Sequence, residues 1–73
     1  MSPRVRRLTA AEVERLLSRH SFELVSQRGS HRKWRRREDN LQVIVPQHKG
    51  RPLPIGTLRQ ILKAAEIPRE EWA

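Results

Sequence analysis

The amino-acid sequence predicts a two-layer α+β fold in the order helix, strand, strand, strand, helix, with a three-stranded antiparallel sheet carrying both helices on one face. Three observations lead there. Apolar residues recur at spacings of three and four near each end of the chain, they alternate with polar residues through the middle, and short polar turns punctuate that middle. A sheet covered on one side leaves its other side wet, and in this sequence the wet side should be basic.

The first helix is marked by Thr9-Ala10-Ala11-Glu12. At this spacing the Thr9 hydroxyl accepts from an early helix amide while Glu12 reaches back to the Thr9 amide. Val13, Leu16, Leu17 and His20 then form one stripe, with Glu12, Glu14, Arg15 and Arg19 read as facing water, and the helix ends near His20 or Ser21.

Phe22, Leu24 and, by continuation, Ser26 alternate with Glu23, Val25 and Gln27 as a first strand, which Arg28-Gly29-Ser30 closes with turn chemistry. Through residues 31–37 a period of two places His31, Lys33, Arg35 and Arg37 on one face and Arg32, Trp34 and Arg36 on the other, with Trp34 anchoring the core. Glu38-Asp39-Asn40 is a turn, and Leu41, Val43 and Val45 alternate with Gln42 and Ile44 as the third strand. Residues 46–56 hold three prolines and two glycines and form a loop. Ile55, Leu58, Ile61, Leu62 and Ala65 then define a second helix with Arg59, Lys63 and Glu66 outside, stopped by Pro68, from which one more turn can start. This order of elements is that of the double-stranded-RNA-binding domain fold, a likeness of topology that does not by itself carry function.

With 73 residues, 36% of them hydrophobic, the chain has room for one small core, so residues 1–8 are expected as a flexible basic arm and 9–73 as a single domain. Sixteen Lys plus Arg against eight Asp plus Glu give a formal net charge of +8, the signature of a polyanion binder, either nucleic acid or an acidic protein. The absence of cysteine excludes a disulfide framework and thiolate metal ligation, and His20, His31 and His48 are scattered, so no metal or cofactor is expected. No apolar run approaches the length of a membrane span or a signal peptide, and a soluble cytoplasmic protein is expected.

The stretch SQRGSHRKWRRR, residues 26–37, concentrates the candidate chemistry. Metal-free RNA cleavage needs a base for the 2′-hydroxyl proton, an acid for the leaving oxygen and cations to hold charge on phosphate. His31 suits either proton transfer. Arg28, Arg32, Lys33 and Arg35 suit the phosphate, with Ser30 as a hydrogen-bond donor, Gly29 allowing close backbone approach, and Lys49 extending the basic surface. The same residues read more plainly as a solvated strand face bearing a polar surface histidine. His20 suits packing at a helix end, and His48 suits either phosphate contact or solvent. Trp34, one of only three aromatic residues with Phe22 and Trp72, is read as core before it is read as a base-stacking platform.

Taken together, GSHRKW at residues 29–34, VPQHKGRPLPIGTLRQILKAAEI at residues 45–67 and the leading amphipathic helix resemble the HicA-type mRNA interferase toxins of bacterial and archaeal toxin–antitoxin modules. The resemblance implies a double-stranded-RNA-binding-like fold, metal-independent endoribonuclease action on mRNA that arrests translation and growth, and neutralisation by a HicB-type antitoxin, acidic where it meets this surface. It places the family's catalytic histidine on His31. Many members carry a second histidine directly afterwards, where this chain has Arg32, and a glycine is often found near the end of the second helix, where this chain has Ala65-Glu66. Two alternatives remain open on the residues alone: a non-catalytic RNA-binding module, and a subunit that binds only an acidic protein partner.

Overall fold

The computed structural model describes residues 6–72. Thr9 caps the first helix, α1 (Ala10–Arg19), through the expected reciprocal pair: its hydroxyl accepts the Glu12 N–H at 3.2 Å and the Glu12 carboxylate accepts the Thr9 N–H at 2.9 Å. Three strands follow, β1 (Phe22–Arg28), β2 (His31–Arg36) and β3 (Leu41–Pro46), then α2 (Ile55–Ala64) and a single 3₁₀ turn (Arg69–Glu71). The strands form one antiparallel sheet in the order β1-β2-β3, so the cation-rich β2 is central.

Both helices pack on the same sheet face. Val13, Leu16 and Leu17 of α1 and Leu58, Ile61 and Leu62 of α2 are buried in one core with Phe22, Trp34, Val43 and Val45 from the strands. The two-layer α-β-β-β-α reading is therefore the observed fold, and Arg32, Trp34 and Arg36 lie on the covered side as period two requires. Arg36 is held there by Asp39 and Glu66 and stacks over the Phe22 ring at 5.5 Å. Hydrogen bonds from Arg36 hold the Asp39 carboxyl below the usual carboxylate range, while Asp39 first and Glu66 second push the guanidinium further up.

Four features depart from the sequence reading or extend it. Glu14 is not on the water side: it is 7% exposed, and its carboxylate accepts the Trp34 indole N–H at 2.7 Å and an Arg32 N–H at 3.3 Å. An inward carboxylate is tolerated because both donors reach it from β2.

The second departure is a β-bulge. Simple alternation would put Phe22, Leu24, Ser26 and Arg28 on one side, but the register shifts between Leu24 and Ser26, so that Ser26 faces Lys33 and Arg28 faces His31. Ser26 therefore does not continue the Phe22–Leu24 face.

Third, α2 is stopped before Pro68 is reached. Glu66 takes φ +60°, its N–H bonds to the Lys63 carbonyl at 3.1 Å, and the Ile67 N–H returns to the Leu62 carbonyl at 3.0 Å. That is a Schellman ending with glutamate where glycine is usual. Pro68 instead precedes the 3₁₀ turn.

Fourth, Leu53, set between two prolines of the loop, is fully buried and its N–H bonds to the Leu8 carbonyl at 2.8 Å, beside a bridge between Thr9 and Pro52. Leu8, the last residue of the expected arm, is thus part of the core, while residues 1–5 of that arm lie outside the described residues. His20 accounts for its place at the helix end by pairing with Glu71 at 2.9 Å, tying the 3₁₀ turn to α1.

Candidate nucleic-acid interface

Residues directly opposite on neighbouring antiparallel strands point to the same face. The open face of the sheet is therefore built from Arg28 opposite His31, Ser26 opposite Lys33, and Glu23 opposite Arg35, with Pro46, Ile44 and Gln42 completing the rows from β3. The bulge is what admits Arg28 to this face. Were Val25 paired in an unbroken ladder, Arg28 would turn to the helix side and His31 would lose its cationic neighbour.

A two-residue turn, Gly29-Ser30, joins β1 to β2. Gly29 has φ +58° and Ser30 is not left-handed, the pattern of a hairpin turn that favours glycine at its first central position. The turn is braced from two sides: the Gln27 side-chain amide donates to the Gly29 carbonyl at 3.2 Å, and the Gln47 N–H to the Ser30 carbonyl at 2.7 Å. His31, the first residue after this braced turn, is exposed. Ser26, Gln27, Arg28, His31, Lys33 and Ile44 line a depression of about 460 Å³ on the sheet surface. Ile44, 43% exposed, gives it an apolar patch.

Of the residues singled out from the sequence, Arg28, His31, Lys33 and Arg35 share the open face, and Gly29 and Ser30 form the turn at its edge. Arg32 does not join them: it sits on the covered side, tied to Glu14. Lys49 is exposed in the loop after β3, with φ +28°, in a turn closed by the Arg51 N–H on the His48 carbonyl at 2.8 Å. Trp34, 9% exposed, is a core residue and not a stacking platform. Ser26 and Ile44, which also line the depression, were not singled out. Ser26 was concealed by the bulge, whereas the β3 alternation already put Ile44 opposite the core residues.

Glu23, at the far end from His31, pairs with Arg37 at 3.5 Å, and no other carboxylate stands in the rows opposite His31, Lys33 and Arg35. Among the described residues, Arg28, His31, Lys33 and Arg35 have no ion-pair partner. An electropositive strand surface with a histidine at one end suits an extended or helical polyanion better than a small molecule.

Among the described residues no three histidine, aspartate or glutamate side chains converge in a way that could hold a metal ion. No helix of the described residues is long and apolar enough to cross a membrane.

Fold and surface together define a small α+β protein with a helix-covered core and one cationic sheet face. Within that class the assignment is specific: the family model described as HicA toxin of bacterial toxin-antitoxin matches residues 10–67, and the chain belongs to that family. No curated protein matches the chain. The chain is accordingly a toxin of a toxin–antitoxin system, with a cognate antitoxin as its partner.

Proposed function

We propose that the chain is a metal-independent endoribonuclease that cleaves mRNA, arresting translation and growth, and that a HicB-type antitoxin restrains it. The observation that carries this reading is the placement of His31, exposed on an open sheet face with Arg28 opposite and Lys33 beyond it on the same face. RNA cleavage by the neighbouring 2′-hydroxyl removes one proton from that hydroxyl. The 2′-oxygen bonds to phosphorus, the bond to the 5′-oxygen breaks, and the departing oxygen takes up one proton. His31 carries one of these transfers and water the other. Arg28, Lys33 and Arg35 hold charge on the phosphate, and Lys49 extends the contact along the backbone. The Gly29-Ser30 turn lets RNA approach the backbone beside His31. Arg32 has a structural part, through Glu14.

The antitoxin acts by covering the open face, and acidic groups on it give fast and selective association with so basic a partner. RNA and antitoxin should therefore compete.

The deciding experiment is cleavage of a structured mRNA in EDTA by the wild type beside His31→Ala, with circular dichroism confirming that both fold. Cleavage by the wild type alone is expected, with a loss of at least about a hundredfold in the variant. Equal cleavage by both would overturn the role of His31; binding without cleavage by either would replace the enzyme with an RNA-binding module.

A further inference from the structure

On the opposite side of the molecule, Arg59 and Lys63 of α2 line a cleft of about 450 Å³ with Glu66, Ile67, Arg69 and Trp72. Arg59, Lys63 and Arg69 are exposed, and among the described residues none of the three has an ion-pair partner. Like charges four apart on a helix repel, and α2 contains no acidic residue to offset them. The one carboxylate in the cleft wall, Glu66, is engaged by Arg36. Ile67 and Trp72 are both buried, and the indole N–H of Trp72 is already satisfied by the Ile67 carbonyl at 3.0 Å, so what the tryptophan offers the cleft is apolar. The Arg69 guanidinium lies 5.9 Å from that ring.

We propose that this cleft is a second docking site for the protein partner, receiving an acidic segment that carries one apolar side chain. The inference rests on the chain being half of a toxin–antitoxin pair, but not on its being a nuclease. Three unpaired cations around an apolar floor match carboxylates flanking a hydrophobic anchor. RNA is the poorer fit because Trp72, 7% exposed, is too buried to stack on a base. The geometry suits a partner that reaches around the protein. α2 lies on the covered side of the sheet, so its solvent face looks away from His31 on the open face. A segment anchored here would hold the antitoxin without itself obstructing the open face.

The test uses the isotope-labelled full chain and a synthetic peptide with one central leucine between two short runs of alternating glutamate and aspartate. Amide and indole signals of Arg59, Lys63, Ile67 and Trp72 are expected to shift. Replacing the peptide leucine by serine, or using the double variant Arg59→Ser with Lys63→Ser, should weaken binding at least tenfold, while the double variant keeps its circular dichroism and its behaviour toward RNA. Shifts confined to residues 28–35, or unchanged affinity in the double variant, would overturn the proposal. So would an RNA hexanucleotide that perturbs the cleft as strongly as the peptide. Because the readout is peptide binding, failure here leaves the nuclease reading intact, and a failed cleavage assay leaves the cleft intact.

Discussion

Glu14 joins α1 to the central strand through two donors of different kinds, the Trp34 indole and the Arg32 guanidinium. Replacing it with alanine strips the acceptor from a buried N–H and leaves a partly buried cation unpaired, so Glu14→Ala is expected to cost about 2–3 kcal/mol of folding stability. Glu14→Gln retains an acceptor for the indole and should cost roughly half as much. Urea unfolding at constant slope measures both. Equal losses would mean that the charge matters and the indole bond does not. At this scale the sequence is a poor guide: a glutamate at the edge of the helix stripe reads as facing water, and what draws Glu14 inward stands on β2.

Strand β1 poses the same problem for a whole element. Its alternation reads cleanly through Leu24, and only the pairing with β2 reveals that one residue is surplus. Deleting Val25 should therefore regularise the ladder, with Leu24 still opposite Trp34 and Ser26 opposite Lys33, so that Arg28 remains beside His31. Cross-strand contacts between Arg28 and His31 in nuclear Overhauser spectra check this; their disappearance from a folded deletion variant would show that the bulge itself shapes the strand end. Elements whose signals are local were legible from the chain. Thr9 and Glu12 cap a helix three residues apart, the alternation of residues 31–36 fixes both faces of β2, and the spacing from Leu58 to Leu62 sets the buried stripe of α2. The features that escaped reading depend on long-range partners or on an unusual backbone: the inward Glu14, the bulge, and the left-handed Glu66 whose side chain meets Arg36 across 30 positions of sequence. The open face was legible as a row of cations, but the inclusion of Arg28 and exclusion of Arg32 follow from the register and from Glu14.

For the molecule as a whole, the net charge of +8 and the placement of its few carboxylates set the response to acid. Glu12 and Asp39 both have pKa values lowered in the fold, Glu12 by hydrogen bonds with Thr9 and Asp39 by hydrogen bonds from Arg36. A lowered folded value means that the stabilisation is present above the ordinary carboxylate range and is lost as pH falls through the folded values. The unfolding temperature should thus hold from neutral pH down to the upper edge of that range and decline below it, and Asp39→Asn with Thr9→Ala should flatten the decline. A decline beginning near pH 6 instead would point away from these carboxylates. As both groups are exposed, added salt should shrink the effect.

Every group of the open face, and Lys49 beyond it, has been strung together by the time α2 begins at Ile55. The surface that holds them is not yet secure at that point, because Leu58, Ile61 and Leu62 have still to pack on the β3 side of the core with Val43 and Val45. A nascent chain halted at the Pro52-Leu53-Pro54 segment would carry the full set of cations and the histidine, but on strands whose apolar side is half bare and unstable in water. The cations are written early in the chain and the layer that supports them late, so the open face gains its backing only once α2 has been made.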